Sequence, residues 1–231
     1  MVNKRVMHIP ISHHQRQGNK LTGGKPRKLV IHSTANTAPA INERNNLARK
    51  SNKRYASFHD VVDDTEVIEC IPHNEIAFHA GTCNRTTISL EICEGGNRSK
   101  TLDNAVKHSA SMLKRHNLTI NDMIRHYDCT GKNCPRIMSA NNWKEWYVFK
   151  SLVLLELKGG TKDMNEKEVR KIIREEITPS INGGSPDSHW AYGAYTYLNN
   201  KGITINERRF DDMMTRGEVI TLIARTQGFK G

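Results

Sequence analysis

Over its first two thirds the chain alternates short apolar runs with longer amphipathic stretches. Four runs have strand character: Lys28–Ser33 (KLVIHS), Ser57–Asp63 (SFHDVVD), Glu66–Ile71 (EVIECI) and Thr87–Cys93 (TISLEIC). Each carries the β-branched residues that favour a pleated surface. Asp63-Asp64-Thr65, between the second and third runs, predicts a hairpin turn, because short polar side chains bond their own backbone there. Helical periodicity marks Asn42–Ser51, Asp103–His116 and Trp143–Leu157. In the second of these, Ala105, Val106, Ala110 and Leu113 form a stripe at 3.6-residue spacing, the pattern of a helix packed on a core. Strands interleaved with helices predict an α/β fold, a mixed central β-sheet flanked by helices.

The pattern changes at Lys158-Gly-Gly-Thr-Lys162. A charged helical stretch, Asn165–Ile177, follows, then a break at Pro179–Pro186, then helical segments at Ser188–Asn200 and Thr215–Thr226. The expected organisation is therefore a first domain over 1–158, a linker with a charged helix over 159–186, and a small helical C-terminal module over 187–231. A membrane span needs roughly 18 apolar residues. The greasiest run, Val148–Leu157, is broken by Lys150, Ser151 and Glu156, so no membrane partner is expected. The basic start, Met1 to Arg5, precedes no apolar segment, so no signal peptide is expected.

Of the 231 residues, 36% are hydrophobic, and the formal net charge is +11. The charge is unevenly placed. Residues 1–158 carry 24 Lys and Arg against 14 Asp and Glu, a net +10; residues 159–231 carry 11 against 10, a net +1. A basic first domain suits a polyanion, either nucleic acid or an anionic wall polymer. No nucleic-acid motif accompanies the charge, and no nucleic-acid partner is expected. The five cysteines are an odd number. With no secretory signal, that predicts reduced thiols rather than a disulfide framework. Cys70, Cys83, Cys93 and Cys129 are expected to be small buried or half-buried side chains.

The chemistry concentrates in Arg125-His-Tyr-Asp-Cys-Thr-Gly-Lys-Asn-Cys-Pro135. His126 and Cys134 lie eight residues apart around a glycine-bearing loop, a spacing that can fold imidazole and thiolate onto one ion. His32 ends the apolar run Leu29-Val30-Ile31, at the rim of a predicted central strand. Two histidines and one cysteine make three protein donors and leave a fourth position for water, the pattern of a catalytic Zn2+. Amide hydrolysis also needs a proton carrier and an oxyanion stabiliser. Glu91, flanked by Leu90 and Ile92, suits the first role if it is buried; simple alternation would instead turn it to solvent. Lys132, two residues before Cys134, suits the second. The remaining histidines His8, His13, His14, His73, His108, His116 and His189 are given no role.

Five stretches in order, Val30–Thr34 (VIHST), Ala56–His59 (ASFH), Ile76–Gly81 (IAFHAG), Ile88–Ile92 (ISLEI) and Arg125–Pro135, together resemble the type 2 N-acetylmuramoyl-L-alanine amidases. That family is related to peptidoglycan-recognition proteins and to many phage endolysins. The resemblance implies a mixed sheet, one Zn2+, and cleavage of the amide between N-acetylmuramic acid and L-alanine in bacterial peptidoglycan. It implies His32, His126 and Cys134 as metal ligands, Glu91 as acid/base and Lys132 as the stabilising lysine. It places His59 and His79 near the groove, to contact substrate or orient a ligand. Some phage members carry a tyrosine where this chain has Phe58, which shifts the proton chemistry onto Glu91. The alternative, a non-catalytic peptidoglycan-binding protein, would be expected to lack the zinc cysteine.

Residues 186–227, with Trp190-Ala191, Gly202-Ile203 and Thr215-Arg-Gly-Glu218, resemble an S-layer homology motif. That implies binding to secondary cell-wall polysaccharide, or homo-oligomerisation through the C-terminal module. The expectation for the whole is a phage endolysin, held in the host cytoplasm before release to the cell wall, with a prophage-like bacterial autolysin as the other source.

Overall fold

The computed structural model describes residues 2–12 and 14–159. The charged helix, the linker and the S-layer-like motif all lie outside the described residues. The chain divides into two compact units, Met1–Ser139 and Ala140–Gly231. The first unit holds a six-stranded mixed sheet: β1 (Asn3–Val6), β2 (Lys28–Ser33), β3 (Asp60–Val62), β4 (Glu66–Glu69), β5 (Thr87–Ile92) and β6 (Met123–Arg125), in the order β1-β4-β3-β5-β2-β6. Strands β3, β5, β2 and β6 run parallel, and β4 returns antiparallel to β3. The four predicted strands are present, β2 with the predicted bounds.

The β3–β4 turn forms as its chemistry dictates. Asp63 Oδ1 accepts from the backbone N–H groups of Thr65 and Glu66, both at 2.8 Å, and from the Thr65 hydroxyl. Its Oδ2 accepts from Ala40 N at 2.9 Å, the first residue of helix α1 (Ala40–Ala48). Helix α2 (Arg98–Arg115) starts earlier than its apolar stripe suggests. The Asn97 side chain accepts from Lys100 N and stabilises a polar first turn that periodicity cannot reveal.

Alternation sorts the strands onto two faces. Ile88, Leu90 and Ile92 of β5 are fully buried on one face, the face of Asp60, whose carboxylate meets His108 of α2. Thr87, Ser89 and Glu91 line the other face, shared with Val61. Val61 and Ile68 pack there with Ala40 and Leu47 of α1 in an apolar cluster. Helices therefore flank the sheet on both sides. In parallel sheets both faces are covered, so a buried strand with one polar face needs partners for every polar group on it.

Helix α4 (Ala140–Leu157) belongs to the second unit, and one side of it buries Trp146, Phe149, Val153 and Leu154. Among the described residues no helix is long and apolar enough to cross a membrane.

One expectation is overturned. Cys83 and Cys129 form a disulfide, where reduced thiols were expected. The bond joins the 3-10 turn η1 (Gly81–Arg85) to the short helix α3 (His126–Thr130), closing a separation of 46 residues. Such a loop closure contributes about 4 kcal/mol in the chain-entropy picture. Cysteine parity could not reveal it, because three other cysteines, Cys70, Cys93 and Cys134, stay free and buried.

Candidate metal centre

Parallel pairing of β2 with β5 sets His32 directly beside Glu91. On the other side of β2, Ile31 pairs with Arg125, so His126 emerges at the end of β6 next to His32. The site thus lies at the carboxyl ends of three parallel strands, where loops leave a sheet open to ligands.

Cys134 is returned to the same place by its loop. Gly131 ends α3 in the left-handed conformation, at φ 74°. The Cys134 carbonyl then accepts from Tyr127 N at 3.0 Å, next to His126. Beyond it, Arg136 N donates to Ser33 Oγ at 3.1 Å, and the Arg136 guanidinium pairs with Glu94. The segment is fastened to the ends of both β2 and β5.

The donor atoms of His32, His126 and Cys134 all lie within 4.8 Å of one another, and all three residues are buried. Cys134 Sγ is 3.8 Å from His32 Nδ1, and Glu91 Oε1 is also 3.8 Å from that nitrogen. His126 Nδ1 and Glu91 Oε2 are buried with no hydrogen-bond partner. Two such orphans at one place fit a bound cation and its ligand water, since buried polar groups otherwise find partners.

The electrostatics agree. Burial holds the His32 imidazole well below its ordinary pKa, helped by His79, His126 and Lys132. Burial and Lys132 hold His126 at about 4, so both rings are neutral ligands at pH 7. Burial pushes the Cys134 thiol up to about 11. Only a cation would make thiolate the favoured form there. Burial pushes Glu91 up to about 8, with the Glu43 carboxylate of α1 adding to the rise. Lys132 is exposed, yet its charge acts on His32, His126, Glu91 and Cys134 together. The residues present fit a divalent metal with a carboxylate beside it and an ammonium at the rim.

His59 departs from the expectation that it contacts substrate. It is fully buried; Ser89 N donates to its Nδ1 at 3.1 Å, and its Nε2 lies 2.9 Å from the Glu75 carbonyl. No ring atom is left for a ligand. His79 also has both nitrogens engaged: Nδ1 with His32 Nε2 and Nε2 with Thr87 Oγ1, each at 3.1 Å. It touches the donor residue His32, in line with the expectation that it orients a ligand. Thr87 is the member of this site that sequence reasoning missed. It reads as an ordinary strand residue, and its role depends on a turn that only folding places beside it.

A second grouping, Asp60, Glu69 and His73, lies on the opposite face and is already satisfied. Asp60 bonds both His73 and His108. Glu69 bonds Lys4, His8 and Arg115. Burial alone would raise the Asp60 pKa, but the two histidines hold it well below the carboxylate range. Three cationic or proton-donating groups on Glu69 leave no call for a metal there.

A mixed α/β sheet carrying a His–His–Cys donor set beside a half-buried carboxylate could hold a divalent metal and activate water for hydrolysis. Residues 22–137 match the N-acetylmuramoyl-L-alanine amidase family, and the chain belongs to it. It is 39% identical over 131 residues to the N-acetylmuramoyl-L-alanine amidase CwlA of a Bacillus species, covering 53% of this chain and 51% of that protein. The catalytic domain of XlyA, an amidase of Bacillus subtilis, superposes with a TM-score of 0.60 at 32% identity, over 66% of this chain and 99% of that domain. A mutant endolysin from Bacillus subtilis superposes equally, with a TM-score of 0.60 at 31% identity, over 66% of this chain and 99% of that one. The chain spans about half the length of the curated relatives it matches.

Proposed function

We propose that this protein is a zinc-dependent amidase that hydrolyses the bond between N-acetylmuramic acid and L-alanine in peptidoglycan, and that it acts as a phage endolysin. The observation that carries the reading is the convergence of His32, His126 and Cys134 with Glu91 held in register beside His32. When bound, zinc supplies Lewis acidity and brings the pKa of water to near ~7. The chain's own residues do the rest. Glu91, in its desolvated position, takes a proton from the attacking water and returns it to the leaving amine. Lys132 offers its ammonium to the developing oxyanion. Resemblance to a solved endolysin supports the endolysin part of this reading; in that role the protein would be held in the host cytoplasm before release to the wall.

The test is digestion of purified peptidoglycan with and without a chelator, scored by new L-alanine amino termini. Cleavage abolished by the chelator and restored by zinc supports the reading. Binding to peptidoglycan with no new termini would replace it with the non-catalytic alternative.

The C-terminal module over 187–231 is proposed as a wall-targeting or oligomerising part, tied to the first domain by the linker over 159–186. A chain ending near Lys158 is expected to bind zinc and to cleave soluble muropeptide at the parent rate. On intact walls it should be slower, because a linked second site raises local enzyme concentration. The basic first domain gives a salt-sensitive attraction to anionic polymer, so the deficit should widen as salt rises. Turbidity loss of wall suspensions at several salt concentrations checks this; equal lysis by both chains throughout refutes targeting.

A further inference from the structure

One face of β5 carries Thr87, Ser89 and Glu91, and each meets a histidine: Thr87 meets His79, Ser89 meets His59, and Glu91 meets His32. The Thr87 arrangement has a direction. Its hydroxyl carries one proton, and the shorter of its bonds, 2.8 Å, runs to the Cys83 carbonyl, which can only accept. Thr87 Oγ1 must then accept from His79 at 3.1 Å, so His79 carries its proton on Nε2. His79 Nδ1 is left as an acceptor, 3.1 Å from His32 Nε2, so His32 is protonated on Nε2 as well. That leaves His32 Nδ1 bare, facing Cys134 Sγ and Glu91 Oε1.

We propose that Thr87 and His79 are positioning residues: a hydrogen-bond relay, closed on the Cys83 carbonyl, that presets the His32 tautomer whose Nδ1 is free to bind zinc. The proposal rests on the zinc reading above. Reversal would cost the bond to Cys83 and put a proton on His32 Nδ1, which blocks ligation. A ring nitrogen's state is set by what the other nitrogen bonds, and such outer partners are worth a factor of ~10–100 in metal affinity.

The reference point is held in place twice. Asn84 Oδ1 accepts from His79 N at 3.0 Å and Ala80 N at 2.7 Å. The Cys83–Cys129 disulfide ties the same turn to the helix that begins with His126. Thr87 is itself buried, so water does not compete for its hydroxyl. The relay therefore runs from a clamped carbonyl to the ligand atom through the side chains of Thr87 and His79, with one direction of proton placement favoured.

The direct test is long-range proton–nitrogen NMR on the histidine-labelled protein, which reports the tautomer of each ring. In the metal-free protein both His32 and His79 should be Nε2-protonated; a His79 ring protonated on Nδ1 overturns the relay. Zinc affinity, measured by chelator competition, gives the second reading. Thr87→Val keeps the shape and the backbone but removes the hydroxyl that accepts from His79 Nε2, and is expected to weaken zinc binding ~10–100-fold. Thr87→Ser, which keeps the hydroxyl, should restore it. Zinc binding by Thr87→Val as tight as the parent's overturns the proposal. A parent that binds no zinc would sink the zinc reading instead, while the metal-free tautomers still decide the relay.

Discussion

Cys134→Ser and His126→Ala should each lose zinc and peptidoglycan cleavage together. The two ligands come from one loop, 126–134, closed by the bond from Tyr127 N to the Cys134 carbonyl, so each loss leaves the other donor in place but removes a third of the set. Structural zinc sites are worth ~10–16 kcal/mol over four ligands, so one ligand corresponds to about 3 kcal/mol, a ~10²-fold loss of affinity. Serine keeps the size of the buried thiol, yet its hydroxyl does not ionise near neutrality, so it supplies no anionic donor. Equilibrium dialysis against zinc, with thermal melts of the metal-free proteins as the folding control, separates ligand loss from unfolding. A variant that cleaves at the parent rate without bound metal would refute the metal mechanism.

Glu91→Ala should leave zinc bound and slow cleavage ~10²–10⁴-fold, the range for a positioned acid/base. Glu91 is not one of the three converging donors; its Oε1 stands 3.8 Å from His32 Nδ1 and its Oε2 has no partner. Glu91→Gln should fall comparably, since the amide keeps the shape and cannot take a proton. Single-turnover rates with metal content measured on the same samples check both; near-parent turnover in either removes Glu91 from the chemical step. Burial also gives this residue a stability signature in the metal-free protein. Its folded pKa, about 8, is raised above the ordinary value of 4.5. The folded state therefore binds the proton more tightly than the unfolded state. That contribution is complete below about 4.5 and is lost as pH rises to about 8. Metal-free Glu91→Gln should therefore gain stability relative to the parent as pH rises through this window, which urea titration at several pH values will show.

The amino-acid pattern alone determined much of this protein. Val30 and Ile31 before His32, and the alternation Thr87-Ile-Ser-Leu-Glu-Ile92, specify central strands because hydrophobic burial reads directly from residue order. The 125–135 stretch announced its imidazole and thiolate by chemistry and spacing. Local pattern was silent where stability comes from elsewhere. Strand β1 is Asn3-Lys-Arg-Val, mostly polar, and it forms by parallel backbone pairing to β4 with Arg5 on Glu66 and Lys4 on Glu69. Strand β6 is three residues long and exists because β2 offers it an edge.

Three things were decided only in the folded chain. Register put Glu91 beside His32, turning an alternating strand residue into a half-buried carboxylate with a raised pKa. Enclosure satisfied both nitrogens of His59 and withdrew it from any substrate. Folding also brought the 81–85 turn against α3, pairing Cys83 with Cys129 and setting the Cys83 carbonyl over Thr87. Hydrophobic periodicity encodes which face of an element is buried. Which polar atoms then meet is set by strand order and loop closure across tens of residues, and that is a property of the tertiary structure alone.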